Sequence, residues 1–256
     1  MIEDLRALVE VARRAARAAS AVILDVYGTQ FTVRKKDDAS PVTEADERAE
    51  RVIIAALAKE APGIPVIAEE LVAAEGAPPA PPRFWLVDPL DGTKEFIARN
   101  GEFSINIGLV EGDRPVLGVI HVPVANITFA GAGPGTATRQ AGDAAPVAIA
   151  ARPVPASGAV IVHSRSHSDS KKLAAYRATM PGALSKVSGS AVKFCLVAEG
   201  SADLYPRFGP TMEWDTCAGQ AVLEAAGGEV VTPDGAPLRY AKPGFLNGDF
   251  IAKGKS

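Results

Sequence analysis

The chain has 256 residues, of which 47% are hydrophobic and 22% charged, with 27 Lys and Arg against 30 Asp and Glu. This composition is ordinary for a globular protein and excludes a disordered, coiled-coil or collagen-like chain. The net charge of −3 lacks the basic excess that binding to a nucleic-acid polymer requires. Two cysteines do not make a disulfide framework, and three scattered histidines argue against a zinc site.

The first half of the chain is predicted to hold two helices followed by strands. Apolar residues recur at helical spacing over 2–26, and Thr43 has the position of an N-cap for a second helix over 44–59. The acids among the first ten residues argue against a transit peptide, and no uncharged stretch suits a membrane span. Apolar runs predict a strand that opens a hairpin at 31–35, and further strands at 64–68, 84–87, 104–110 and 116–124.

The second half mixes strands and helices without a regular βαβ alternation. Strands are predicted at 158–164, 202–207 and 229–231, and helices over 171–179, 191–199 and 216–226. A region rich in Gly and Ala, 131–151, is the predicted boundary between an N-terminal half (1–135) and a C-terminal half (136–256). Neither the dinucleotide fingerprint nor the phosphate loop of nucleotide triphosphatases is present.

The strongest chemical signal is the position of the acids. Glu69 and Glu70 follow one apolar strand, and Asp88 and Asp91 follow another. An unpaired charge at the edge of a core is costly, and a divalent cation would neutralise several carboxylates at once. The proline turn between the two aspartates can aim both side chains and the carbonyl of Leu90 at one point, and an all-oxygen ligand set suits Mg²⁺.

A candidate phosphate cradle lies beside these acids. Gly92 lets backbone N–H groups approach an anion, and a helix that begins near Lys94 would add its positive end. Metal ligands next to such a cradle indicate phosphate-ester chemistry. Taken alone, however, the Asp-Pro-Leu-Asp-Gly motif is more often a surface turn, the Glu-Glu pair a solvated helix start, and Asp215 an N-cap.

Taken together, the motifs resemble the Mg²⁺-dependent, lithium-sensitive phosphatases of the inositol monophosphatase superfamily. The resemblance rests on Asp46, on Glu69-Glu70, on residues 88–93 and on Trp214-Asp215, which occur in the order of that family. It implies an α/β (α+β) fold, the layered αβαβα sandwich of the inositol monophosphatase/fructose-1,6-bisphosphatase type. Residues 94–96 and 100–103 resemble the branch of 3′(2′),5′-bisphosphate nucleotidases.

The resemblance also implies roles for these residues, with two or three Mg²⁺ ions per site. Glu69, Asp88 and the Leu90 carbonyl would hold one ion, and Asp88, Asp91 and Asp215 a second. Asp46 and Thr93 would orient and deprotonate the attacking water. Glu70 would support the ligands and is counted with this catalytic group.

Substrate contacts are implied for the metal and cradle residues and for three further places. The first set comprises Glu69, Leu90, Asp91, Gly92, Thr93 and Asp215. Ser164, Arg165, Ser166 and His167 have donors suited to a second phosphate or a ribose, but the same four residues also suit an ordinary polar loop. Arg207 suits a bidentate phosphate contact. Lys193 begins an apolar helix, where it either caps the helix or contacts the substrate.

The implied activity is Mg²⁺-dependent hydrolysis of the 3′-phosphate of adenosine 3′,5′-bisphosphate (PAP), with the sulfated relative PAPS as an additional substrate. An inositol or sugar monophosphatase with the same site is an alternative, since fold does not decide function. A non-catalytic metal or nucleotide sensor is a second alternative. We expect a small phosphate ester as partner, a monomer or homodimer, no integral membrane segment, and a cytoplasmic location with peripheral membrane association left open.

Overall fold

The computed structural model describes residues 4–35, 41–165 and 170–254. Its α-helices are α1 (Leu5–Tyr27), α2 (Glu44–Glu60), α3 (Glu69–Glu75), α4 (Thr93–Ile97), α5 (Ser170–Ala178), α6 (Val192–Ala198) and α7 (Cys217–Ala225). Short 3₁₀ turns span Glu213–Asp215 and Pro243–Phe245. Among the helices described, none is both long and apolar enough to cross a bilayer.

The strands form two main sheets and two short pairs. In the larger sheet, strands β3 to β9 lie side by side in chain order, and only β3 and β4 are parallel. The smaller sheet has the order β11-β10-β12-β16-β14. The strands are β1 (Val33–Lys35), β2 (Pro41–Thr43), β3 (Val66–Ala68), β4 (Arg83–Asp91), β5 (Ser104–Glu111), β6 (Arg114–Val122), β7 (Ile127–Gly131), β8 (Thr138–Ala141), β9 (Val147–Ala148), β10 (Val160–His163), β11 (Leu184–Val187), β12 (Leu204–Arg207), β13 (Thr211–Met212), β14 (Gly228–Val231), β15 (Leu246–Asn247) and β16 (Phe250–Gly254).

The elements stack in layers because both faces of the larger sheet are apolar. On β4, Trp85 and Val87 join the core under α1 and α2, whereas Phe84 and Leu86 join the core that contains α6 and α7. Helices α6 and α7 also pack on the smaller sheet. Connections between parallel strands are right-handed. The connection from β10 to β11 and the connection from β11 to β12 run in opposite directions across the sheet, so their helices, α5 and α6, lie on opposite faces. Helix α5 therefore covers the outer face, and the predicted αβαβα sandwich is confirmed.

Most predicted elements match the observed ones within a few residues. Thr43 caps α2 in a capping box, in which the Asp46 carboxylate accepts a hydrogen bond from the Thr43 backbone N–H. Strands β8, β9, β11, β13 and β15 were not predicted, and β8 and β9 lie in the region that was expected to be a boundary. The larger sheet continues past residue 135 through β8 and β9, and the division into two halves stays a prediction.

Candidate metal and phosphate site

A bulge at the end of β4 brings Asp88 and Asp91 to the same edge of the larger sheet. Asp88 pairs with Asn106 and Asp91 with Ser104, so β4 has one more residue than β5 between these pairs. The Asp88 carboxylate accepts a hydrogen bond from the backbone N–H of Leu90 at 3.0 Å, which closes the turn. The extra residue re-aims the strand end, as bulges commonly do beside functional sites.

Three carboxylates from separate parts of the chain converge here. Oxygen atoms of Glu69, Asp88 and Asp215 lie within 4.8 Å of one another. Glu69 is the first residue of α3, directly after β3, and Asp215 lies in the 3₁₀ turn before α7. The Asp215 carboxylate accepts from the backbone N–H of Met212 at 2.9 Å, a residue before its own turn. The interpretation of Asp215 as the N-cap of α7 is therefore wrong, because the Asp215 side chain does not bind the N–H groups at the start of that helix.

Asp91 is held by neutral and cationic neighbours. Its Oδ2 accepts from Asn106 Nδ2 at 3.1 Å and from the backbone N–H of Ala191 at 2.5 Å. Burial raises the pKa of Asp91, and the charge of Lys193 and these hydrogen bonds oppose the rise. Burial also lowers the pKa of Lys193 to about 8, against the attraction of Asp91.

Burial and mutual repulsion make the ionised form of these carboxyl groups unfavourable in the absence of a cation. The pKa of Asp88 is well above its ordinary value, first because the group is buried and then because Glu69, Asp91 and Asp215 repel its charge. Burial raises the pKa of Asp215 as well, and the charges of Asp91 and Glu69 add to the rise. Oxygen-only donors of this kind suit Mg²⁺ better than a softer metal. The residues present therefore fit the predicted ion.

Gly92 and Thr93 continue directly from the acids. Gly92 has φ +95°, a left-handed conformation that L side chains rarely adopt, and precedes the first turn of α4. The Thr93 hydroxyl lies 3.2 Å from Asp46 Oδ1 and 3.4 Å from the Leu90 carbonyl. The Thr43 hydroxyl and backbone N–H both donate to Asp46 Oδ2. Burial raises the pKa of Asp46, and these bonds from Thr43 oppose the rise.

The acids and the cradle open into a cavity of about 260 Å³. Its walls come from both sheets and from the loops between them. They comprise Pro41, Glu69, Asp88, Leu90, Asp91, Gly92, Thr93, Lys94, Glu95, Ser164, Ser190, Ala191, Lys193, Tyr205, Arg207, Thr211, Asp215 and Thr216. Asp46 is buried and is not among them, but its Oδ1 contacts the hydroxyl of Thr93, which does line the cavity.

One wall of the cavity is cationic. The buried Lys193 ammonium donates to the Ser190 carbonyl at 2.5 Å and lies 5.1 Å from the centre of the Tyr205 ring. Arg207 Nη2 donates to the Pro210 carbonyl at 2.9 Å. Arg207 Nε and the Thr211 hydroxyl are buried without a hydrogen-bond partner among the described residues. Unsatisfied buried donors beside a cation indicate an anionic or polar ligand.

Other predicted residues lie away from the cavity or outside the structure. Glu70 is not a cavity residue, although its backbone N–H donates to Glu50 Oε2 at 2.8 Å. Ser164 lines the cavity, whereas Arg165 is not a cavity residue and pairs with Glu102 at 3.3 Å. Ser166 and His167 lie outside the described residues.

Sequence reasoning missed several residues of the site. Asn106, which binds Asp91, is a polar residue inside an apolar strand, and that contrast was the available signal. Glu95 belongs to the motif of the nucleotidase branch but had been given no role. Ser190, Tyr205 and Thr211 carry no sequence signal of their own, because only the packing of the two sheets brings them to the cavity.

A buried histidine and the two cysteines are core residues outside the site. His121 is buried and its Nδ1 lies 2.8 Å from the Thr128 hydroxyl. Burial, helped by repulsion from Arg17, lowers the pKa of His121 to about 4. Cys195 and Cys217 are free, buried thiols.

Comparison with known proteins identifies the family of the chain. The sequence matches the profile of the inositol monophosphatase family over residues 4–254. The 3′(2′),5′-bisphosphate nucleotidase CysQ of Shigella flexneri is 45% identical over 239 residues, which are 92% of this chain and 95% of that protein. The CysQ protein of Escherichia coli K12 is 44% identical over the same length and shares of the two chains.

Solved structures show the same fold. The crystal structure of CysQ from Bacteroides thetaiotaomicron superposes with a TM-score of 0.82 at 37% identity and covers 97% of each chain. An inositol monophosphatase from Anabaena superposes with a TM-score of 0.73 at 27% identity, over 97% of this chain and 90% of that one. The chain therefore belongs to the inositol monophosphatase family.

Proposed function

We propose that this protein is a Mg²⁺-dependent 3′(2′),5′-bisphosphate nucleotidase that converts PAP and water to AMP and phosphate. The observation that carries the proposal is a cavity lined both by a carboxylate cluster and by two cations, the buried Lys193 and the half-buried Arg207. A substrate with two separate phosphates suits such a cavity. The identity of 44–45% to CysQ nucleotidases over nearly the whole chain supports the same substrate class.

The carboxylates are proposed to hold the metal. Glu69, Asp88 and the Leu90 carbonyl are the ligands of one ion, and Asp88, Asp91 and Asp215 those of a second. When bound, Mg²⁺ lowers the pKa of water and stabilises the oxygen that leaves phosphorus. The repulsion that raises the pKa values of Asp88 and Asp215 supports this assignment, because a divalent cation relieves it.

Thr93 is proposed to position the attacking water, and Asp46 to accept its proton through the Thr93 hydroxyl. Two observations support these roles. The Thr93 hydroxyl lies 3.2 Å from Asp46 Oδ1, and of these two residues it is Thr93 that lines the cavity. A raised pKa brings a carboxylate closer to the range in which it acts as a general base. The water oxygen forms a bond to phosphorus, the bond from phosphorus to the ribose 3′-oxygen breaks, and that oxygen takes up a proton.

The second phosphate is proposed to lie against Lys193 and Arg207. The unpartnered Nε of Arg207 is a donor already desolvated by the protein, which makes binding of an anion there favourable. PAPS has the same 3′-phosphate and is proposed as a second substrate.

The test is product analysis with the full chain, PAP and Mg²⁺. We expect equal amounts of phosphate and 5′-AMP, and no turnover after the metal is chelated. Arg207→Met is expected to raise KM for PAP by roughly 10- to 100-fold, since a charged hydrogen bond contributes about 1.5–3 kcal/mol. Arg239→Met, which removes an exposed arginine paired with Asp113, is the matched control. Release of adenosine 3′-phosphate, or of no phosphate, would contradict the proposal.

A further inference from the structure

Glu102 belongs to the motif of the nucleotidase branch and makes contacts that the reaction described above does not use. It lies in the loop between α4 and β5, where its backbone N–H donates to Asn100 Oδ1 at 2.9 Å. Its Oε2 accepts from the backbone N–H of Gly189 at 3.0 Å and lies 3.3 Å from Arg165 Nη2. Both partners come from a distant part of the chain, 87 and 63 residues later.

The segment at residues 188–191 is held against the first half of the chain by two carboxylates. Glu102 binds the N–H of Gly189, and Asp91 binds the N–H of Ala191. Between them, Ser190 has φ +45°, a left-handed conformation that is uncommon for a residue with a side chain. Such a conformation persists only where neighbouring contacts impose it. The two carboxylates supply contacts of this kind.

Gly189 allows this close approach. A Cβ atom there would lie 2.5 Å from the Glu102 carbonyl oxygen and 2.8 Å from Glu95 Cγ. The backbone of the 188–191 segment therefore lies directly on Glu95 and Glu102, two residues of the branch motif. Ser190 of this segment lines the cavity, as does Lys193. The segment also positions Lys193, because the Lys193 ammonium donates to the Ser190 carbonyl.

We propose that Glu102 is a positioning residue that holds the 188–191 segment and Arg165 in place and thereby favours a bisphosphate over a small phosphate. The choice of substrate in this inference rests on the proposed function. A small phosphate needs only the carboxylate cluster and the adjacent cradle at Gly92 and Thr93. A bisphosphate also needs the cationic wall, which Glu102 keeps in register with that cradle.

The first test measures the position of the segment without any turnover. Hydrogen exchange is compared in the metal-free full chain for the wild type, Glu102→Ala and Glu102→Gln. We expect faster exchange at residues 188–191 in E102A, unchanged exchange at residues 88–92, and recovery in E102Q, whose amide oxygen still accepts from Gly189. The control is Glu111→Ala, which removes an exposed glutamate paired with Arg83 at the other end of β5.

The second test separates positioning from a general loss of structure. In E102A, KM for PAP is expected to rise about tenfold, which is about 1.4 kcal/mol of binding, with kcat within about twofold. The inhibition constant of inorganic phosphate should stay within about twofold, because phosphate alone uses the cradle.

Either of two results overturns the inference. One is unchanged exchange at residues 188–191 in E102A; the other is an equal rise in KM for PAP and in the inhibition constant of phosphate. If E102A does not fold, E102Q provides the test, because it loses the ion pair with Arg165. We then expect a smaller rise in KM for PAP. An equal rise in the inhibition constant of phosphate would contradict the inference. A wild type inactive on PAP would refute the proposed function, whereas the exchange experiment would still decide the role of Glu102.

Discussion

Replacement of Asp88 by Asn is expected to stabilise the metal-free protein while it removes the response to Mg²⁺. The substitution deletes one charge from the carboxylate cluster and keeps the side-chain volume. The Asn oxygen can still accept the hydrogen bond from the Leu90 N–H that closes the turn. The dominant change is therefore electrostatic.

The size of the effect follows from the separation of the carboxylates. Oxygens of Asp88, Glu69 and Asp215 lie within 4.8 Å of one another. Two unit charges at that distance repel by about 3 kcal/mol at an effective dielectric constant near 20. Proton uptake by the cluster relieves part of this repulsion, so we expect a gain of about 1–3 kcal/mol in the free energy of unfolding at pH 8. For a chain of this size, that gain raises Tm by roughly 2–10 °C.

The pH dependence of the free energy of unfolding provides a second test of whether Asp88→Asn stabilises the metal-free protein. Asp88 and Asp215 have raised pKa values, so the folded state binds more protons than the unfolded state above about pH 4. The cluster therefore lowers the free energy of unfolding progressively as pH rises from about 4 towards the raised pKa values. The gain from Asp88→Asn should accordingly be small at pH 4 and larger at pH 8.

Calorimetry with a metal chelator at both pH values, followed by titration with Mg²⁺, measures these quantities. Asp25→Asn is the control, because it removes an equal charge from an exposed residue paired with Arg48. The reasoning is refuted if Asp88→Asn lowers Tm at pH 8 in the metal-free protein. It is also refuted if Mg²⁺ stabilises this variant as much as the wild type.

Three further predictions concern single residues. Asp91→Asn should lower turnover of PAP by at least about tenfold with Tm nearly unchanged, and activity close to wild type would remove Asp91 from the ligand set. In the wild type, the depressed pKa of His121 makes its protonation unfavourable in the fold and should lower the free energy of unfolding by about 3 kcal/mol as pH falls from 6.5 to about 4. His121→Asn should remove this pH dependence, and parallel pH profiles of Tm for the two proteins would contradict the prediction. Thr43→Ala should lower the free energy of unfolding by about 1 kcal/mol and Thr43→Ser restore it, because the hydroxyl caps α2 and binds Asp46; equal Tm values for all three would refute the role of the cap.

Local signals explain what could be predicted from the sequence. Acids at the ends of apolar strands located Glu69, Asp88 and Asp91, and the capping-box pattern located the start of α2. These features depend on residues close together in the chain. The bulge between Asp88 and Asp91 also follows from the intervening proline turn.

Long-range packing explains what could not be predicted. Strand β11 is short, lies at a sheet edge and is fully exposed, so it lacks the apolar alternation that identifies a strand. The contact between Glu102 and Gly189 depends on the placement of one half of the chain on the other. Asp215 resembled an N-cap because its 3₁₀ turn, which directs its carboxylate to the Met212 N–H, has no pattern of its own.

The most direct test of the account is a comparison of kcat/KM for PAP and for inositol 1-phosphate, measured side by side with Mg²⁺. The cationic wall of Lys193 and Arg207 predicts a strong preference for PAP, which alone of the two has a second phosphate to place there. A preference for inositol 1-phosphate would leave the family and the carboxylate cluster in place but contradict the assigned substrate. Release of phosphate from neither compound would contradict the proposed reaction and favour a non-catalytic sensor.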